Sequence, residues 1–375
     1  MRILFTGPAA AGHLFPMVPT AQALRAAGHQ VLFAASRPLE QLLGSGFPVT
    51  EIGDGSTIQD AMERSAARGA GYVNRDRTQD EILELAAVGF AELSRPTVSG
   101  LLAVAERWRP DVLVYDSFQA AAPLVAAKLG IPSVLHNFGV VSGHGMVARL
   151  AANFQDVYKE YEVSGPAVPI ALDVLPASLG GDGNGWRVRY VPYNGGGLLP
   201  VDLLERADRP RVVVTLGTVL TQVAGVRAIT ELAAAAGSVD AEFLLAVGGA
   251  DLSQLGALPG NIRPLPWVPL AELLATADAV VHHGGSGTML TALTAGIPQL
   301  LLPQGADHFA NAGALVAAGA ALSARSEDVD DALLTRLLIE PALRTGAAAL
   351  LAQNAALPVP ATLVPEFEAL AARSA

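Results

Sequence analysis

Short aliphatic runs alternate with longer Ala- and Leu-rich stretches from one end of the chain to the other, the pattern of parallel strands joined by covering helices. In the first half, residues 3–6, 30–34, 49–52, 112–115 and 133–136 read as strands. Residues 17–27 and 120–129 read as helices, closed by Gly28 and Gly130. A second series starts at 212–216 and continues through 243–247, 279–282 and 299–302, with Ala-rich helices between. Separating the two, residues 191–210 carry several prolines and Asn194-Gly195-Gly196-Gly197, a linker composition. Two α/β halves joined by a hinge imply a cleft lined by the residues that follow each strand, because ligands of open α/β sheets sit at the carboxyl ends of strands. Residues 53–77, rich in Gly, Ser, Arg and Asp with weak periodicity, read as a surface loop region suited to gripping a variable ligand.

Composition narrows the chemistry. At 375 residues, 51% hydrophobic and 16% charged, the chain can bury the cores of two or three domains. No run approaches the roughly 20 uninterrupted apolar residues of a spanning helix, so we expect a soluble, untargeted, cytoplasmic protein. The 24 Lys and Arg against 35 Asp and Glu give a net charge of -11, which argues against a nucleic-acid partner. The absence of Cys removes thiolate catalysis and Cys-type metal sites. Lysine occurs only at Lys128 and Lys159, outside any Gly-rich loop, so a Walker-type phosphate loop is excluded.

Three constellations remain. The first strand runs into Gly7-Pro8-Ala9-Ala10-Ala11-Gly12-His13 and then a helix. With two glycines where a dinucleotide fingerprint needs three, this turn instead presents His13 at a strand end. The strand at 112–115 ends in Asp116, a carboxylate on the same edge. If the strands are neighbours, Asp116 would accept the imidazole N–H, fix the tautomer and stabilise the imidazolium. Taken separately, His13 could be a buried structural histidine and Asp116 the cap of the helix near Ala120. The second constellation, Ala279 through His282-His283-Gly284-Gly285-Ser286-Gly287-Thr288, places backbone N–H groups and a positive helix end at one point, an anion site that needs no lysine. A tight turn alone is the alternative, and the spacing fits neither a nucleophile elbow nor zinc. Third, Pro303-Gln304-Gly305-Ala306-Asp307-His308 gathers an amide, a carboxylate and an imidazole that could read sugar hydroxyls. Upstream, Trp267 in Pro266-Trp267-Val268-Pro269 offers a face for a base or fills a core. Asp328-Val329-Asp330-Asp331 reads as a solvated helix start rather than a metal site.

In order and spacing, the 267–269, 282–288 and 303–308 segments resemble the donor signature of GT-B-fold nucleotide-sugar glycosyltransferases, and Gly12-His13 with Pro16 and Pro19 is similar to that family's acceptor motif. The likeness spans nearly the whole chain and is greatest to bacterial enzymes that glycosylate polyketide and other antibiotic aglycones with dTDP-deoxysugars. It implies an α/β protein of two Rossmann-like domains facing each other across a deep cleft. Residues 1–195 would bind the acceptor, 196–210 link, 211–357 bind the donor, and 358–375 form a helix returning to the first domain. By this resemblance His13 is the general base and Asp116 orients it. Gly12, Thr218, His282, His283 and the turn Gly284, Gly285, Ser286, Gly287 and Thr288 would hold the diphosphate, Trp267 and the Val268 backbone the base, and Gln304, Asp307 and His308 the sugar. His308 stands where plant members have Gln. Leu290, where many UDP-using relatives carry a ribose-binding Glu, would favour dTDP over UDP. The resemblance further implies inversion, no metal, a dTDP-sugar as co-substrate rather than a cofactor, and a hydrophobic small-molecule aglycone as partner, with no integral membrane association; a homodimer is compatible with it. A sugar-nucleotide epimerase of the same fold, or a catalytically silent binding partner, are the alternatives.

Overall fold

The computed structural model describes residues 1–57, 60, 63, 77–216, 227–246 and 257–373. They form two compact units, one of Met1–Gly195 with Leu357–Ala375, the other of Gly196–Ala356. The first holds a seven-stranded parallel sheet in the order β3-β2-β1-β4-β5-β6-β7. Its strands are β1 (Arg2–Thr6), β2 (Gln30–Ala35), β3 (Val49–Glu51), β4 (Val112–Asp116), β5 (Ser133–Asn137), β6 (Ile170–Asp173) and β7 (Trp186–Arg187). Ile3, Leu4 and Phe5, like Val112 to Tyr115, are wholly buried on both faces, which is why these strands read as unbroken apolar runs. The strand order reverses between β1 and β4, paired from Ile3↔Val112 to Thr6↔Tyr115, so this pair is the topological switch point.

The second unit repeats the plan with six parallel strands, β10-β9-β8-β11-β12-β13. These are β8 (Arg211–Thr215), β9 (Glu242–Ala246), β10 (Ile262–Leu265), β11 (Ala279–His282), β12 (Gln299–Leu301) and β13 (Ala321–Ser323). Here the order reverses between β8 and β11, whose register ends at His282↔Thr215.

Four strands escape the sequence pattern. β7 is two residues long, β6 and β13 are short, and β10 contains Pro264, which an edge strand tolerates because its outer side forms no ladder. Two helices between β3 and β4, Gln79–Ser94 and Val98–Trp108, were also not read. The former opens with a capping box between Thr78 and Glu81. Of the 53–77 segment, residues 58–59, 61–62 and 64–76 lie outside the described residues.

The 196–210 stretch is docked rather than free. Leu203 is buried with Val213, Leu244 and Leu273, and the Arg211 guanidinium donates to the Glu205 carbonyl at 3.0 Å. At the other end, Asp330 accepts from the Leu333 N–H at 2.7 Å and caps the helix Asp331–Ile339, as a helix start should. The stretch Pro341–Ala372 is long and apolar enough by length and composition to cross a membrane. It is not one continuous helix: the helix Pro341–Ala356 ends, a 3-10 turn Pro360–Leu363 intervenes, and the helix Val364–Ala372 seats Phe367 on Trp186 with ring centroids 5.1 Å apart. Arg189 donates to the Leu357 and Pro358 carbonyls, both at 2.9 Å, and so ties the returning segment to the first unit.

Candidate functional site

At the switch point of the first sheet, β1 ends at Thr6 and the chain must turn sharply beside β4. A side chain at Gly7 would stand 3.1 Å from the Asp116 Cβ, so the turn packs directly on that residue. The helical turn Ala11–Leu14 then brings the His13 Nδ1 to 3.2 Å from both carboxylate oxygens of Asp116. Asp116 has no accessible surface and also accepts the Phe118 N–H at 2.8 Å, which fixes the carboxylate plane. It does not cap the following helix, Ala121–Leu129, whose N-cap Ala120 has no side-chain bond. A carboxylate only accepts, so Nδ1 carries the proton and Nε2 the lone pair. The rings of Phe90, Phe118 and Phe138 surround the imidazole at 5.2, 5.3 and 6.1 Å. In such apolar company the ion-pair-like hydrogen bond is stronger than it would be in water. The pair is therefore built to take up a proton at Nε2. The three phenylalanines had no sequence signal beyond the positions of Phe118 and Phe138 just past strand ends.

In the second unit, the strand β11 delivers His282, and His283-Gly284-Gly285 lead into the helix Ser286–Ala295 with Gly285 at its N-cap. Gly284 has φ +96, and a side chain there would meet the His308 Cβ and carbonyl oxygen at 3.2 Å. At Gly285 an added Cβ would lie 2.4 Å from the His283 Nε2, so histidine, rather than a ligand, fills the space. His282 is fully buried. Its Nδ1 accepts the Gly284 N–H at 3.1 Å and its Nε2 donates to the Gln299 amide oxygen at 2.9 Å. Both ring nitrogens thus have partners within the protein, one in the turn and one on β12. Burial pulls this imidazole from its ordinary 6.5 down to about 4, and burial also lowers His283 and His308, so the cluster is uncharged at neutral pH.

The third constellation folds onto the second. The Ser286 hydroxyl donates to the Asp307 carboxylate at 2.6 Å, and His308, buried, stands edge-on to His283 with ring centroids 4.9 Å apart. A residue absent from the sequence reading ties them: the buried Asn311 amide donates to the Gly284 carbonyl at 2.8 Å, to Ser286 Oγ at 3.0 Å and to Asp307 at 2.9 Å. Its signal was its place one helical turn after Asp307. Gln299 was likewise missed. Ala306 holds φ +48, a strained backbone between the half-buried Gln304 and Asp307. Gly287 and Thr288 lie half-buried in the first turn of the helix, whose N-terminus carries the positive dipole end that favours an anion. Trp267 is half-buried after β10, beside the Gly197 backbone, and Val268 packs into the core.

Leu290 has 0% exposure and lies inside the helix Ser286–Ala295. Gly12 is exposed in the first unit, on the turn that carries His13, and Thr218 lies outside the described residues. No group of three metal-ligating side chains occurs among the described residues.

Comparison with known proteins gives a consistent answer. Residues 22–217 match the family described as erythromycin biosynthesis protein CIII-like, N-terminal domain, and residues 230–370 its C-terminal domain. The chain is 39% identical over 365 residues to elloramycin glycosyltransferase ElmGT of Streptomyces olivaceus, covering 96% of this chain and 95% of that one. Its structure is similar to that of the glycosyltransferase SnogD from Streptomyces nogalater, with a TM-score of 0.83, 34% identity and coverage of 99% of both chains. The spinosyn rhamnosyltransferase SpnG, solved with thymidine diphosphate and also with spinosyn aglycone, is similar with a TM-score of 0.84, 31% identity and coverage of 98% of this chain and 100% of its own. With both domains of the family matched over most of its length, the chain belongs to the EryCIII-like family of antibiotic-biosynthesis proteins and is a glycosyltransferase of the GT-B fold.

Proposed function

We propose that this glycosyltransferase moves a deoxysugar from a dTDP-sugar to a hydroxyl of a hydrophobic natural-product aglycone, with inversion and without a metal. The observation that carries the reading is the His13–Asp116 pair, 3.2 Å apart at the switch point and ringed by three phenylalanines. His13 Nε2 takes the proton of the acceptor hydroxyl, and Asp116 holds the resulting imidazolium. The freed oxygen attacks the anomeric carbon as the bond to the diphosphate breaks, a single displacement that inverts the centre. The helix start at Ser286, Gly287 and Thr288 meets the charge of the leaving diphosphate. Trp267 and the Val268 backbone take the thymine, and Asp307, His308 and Gln304 face the sugar. Thymidine diphosphate in SpnG supports the dTDP donor, and the names of ElmGT and SpnG support a natural-product acceptor.

Incubation with a dTDP-deoxysugar and aromatic polyketide aglycones tests the reading. A glycoside of inverted anomeric configuration by NMR, formed equally well with a chelator present, is the expected product. Isomerised donor without acceptor would point to an epimerase, and strict metal dependence would remove the helix start as the main partner of the diphosphate.

A further inference from the structure

Beyond β5 the chain builds a second His–Asp pair on the carboxyl edge of the first sheet. Asn137 ends the strand, Phe138 brings its ring to His13, and four residues later Ser142 caps the helix Gly143–Ala152. The His144 Nδ1 lies 3.2 Å from Asp182 Oδ1. Asp182, 3% exposed, also accepts from the Ser142 hydroxyl at 2.5 Å and from the Gly143 and His144 N–H groups at 3.1 Å. Its own N–H donates to Asp173, whose carboxylate is held in turn by the Asn137 amide and the Arg187 guanidinium, both at 2.9 Å. The pair is thus fixed by the protein itself. His144, in contrast, is 40% exposed. With a carboxylate oxygen 3.2 Å from Nδ1, the tautomer that places the proton on Nδ1 and the lone pair on Nε2 is the one the local charge favours, and Nε2 has no hydrogen-bond partner among the described residues.

An anion does not suit this place, because Asp182 already occupies the helix N–H groups and would repel a second negative charge. A neutral donor does suit it: a hydroxyl or phenol can give its proton to Nε2. Phe138, in ring contact with His13, follows β5 directly and stands four residues before Ser142, so the same strand end leads to both pairs. We propose that His144, held by Asp182, is an acceptor-specificity residue that receives a hydrogen bond from a second hydroxyl of the aglycone, remote from the one deprotonated by His13. This rests on the first unit being the acceptor side, and the aromatic rings about His13 point to a flat aromatic body.

Binding titrations of the full chain with 2,6-dihydroxyanthraquinone and 2-hydroxyanthraquinone, which differ only in the remote hydroxyl, test it. Wild type should prefer the dihydroxy compound by about tenfold, the worth of one hydrogen bond to a group otherwise left unpaired. H144A should bind both alike. H144Q, whose amide reaches the position of Nε2, should keep the preference, whereas H144N, which reaches Asp182 only, should lose it. Affinity for dTDP should be the same in all four proteins. Equal wild-type affinities for the two quinones, or a preference that survives in H144A and H144N, overturns the proposal and leaves the acceptor reading standing. If neither quinone binds wild type while dTDP does, the aromatic-acceptor reading fails and the proposal with it.

Discussion

His13 and Asp116 are 103 positions apart in sequence, yet one hydrogen bond decides which nitrogen of the imidazole can act as a base. Replacing His13 by Ala should lower kcat by about 10²–10⁴-fold, the usual worth of a positioned base, with dTDP affinity unchanged by calorimetry. Asp116→Asn tests the tautomer. The Phe118 N–H needs an acceptor, so the amide oxygen turns to it and the NH₂ faces His13 Nδ1, forcing the proton onto Nε2. We expect a kcat loss of the same order in a protein that still melts cooperatively. Near-wild-type turnover in both variants on a hydroxyl acceptor would remove the base from the mechanism. Gly285→Val acts through a neighbour: its Cβ lands on the His283 ring, which must swing away. Both the melting temperature and the dTDP affinity should fall, and an unchanged pair of values would relocate the anion site.

A brace made by two elements replaces single contacts in the second unit. Through Asn311, the helix His308–Ala317 grips the turn that opens the helix Ser286–Ala295, while Gln299 on β12 pins His282 on β11. Removing the amide with Asn311→Ala leaves the Gly284 carbonyl without that buried donor, at a cost of about 1–3 kcal/mol. Urea unfolding should show that loss, and the KM for the dTDP-sugar should rise more than kcat falls, because Asp307 and the turn then move independently. The strands β1, β4, β8, β11 and β12 were legible because burial on both faces writes a continuous apolar run, and the Gly-rich turn because few residues accept its backbone. The phenylalanines about His13, Gln299, Asn311 and the His144–Asp182 pair were not legible as a set. Each gains its meaning from a partner brought close by topology, and periodicity along the chain carries no record of that. Leu290 and His282 show the reverse: both have places in a motif that the sequence displays, and only the fold shows that their side chains are fully buried.

For the molecule as a whole, buried imidazoles set the acid limit of stability. Burial holds His136 down to about 3 in the first unit and His282 down to about 4 in the second, whereas the unfolded chain binds these protons near the ordinary 6.5. Below that pH the unfolded state binds more protons than the native state, so stability should be level above about 6.5 and fall as pH drops toward 4. The slope should be about 1.4 kcal/mol per pH unit for each such histidine. Urea titrations at a series of pH values check the sign, and stability that rises on acidification through this window would contradict it. The return of the chain to its first unit has a separate effect. Phe367 is fully buried against Trp186, and Phe367→Ala should destabilise by about 3–5 kcal/mol, visible by calorimetry as a lowered transition of the first unit with the second unaffected. Because Met1–Gly195 lacks its closing piece until Leu357 and its successors are made, translation completes the intervening unit first. At about 5–20 residues per second the unfinished sheet waits on the order of ten to thirty seconds with Trp186 uncovered. The unit begun first on the ribosome is therefore the last to be sealed, and it is the one that nascent-chain chaperones have the longest opportunity to hold.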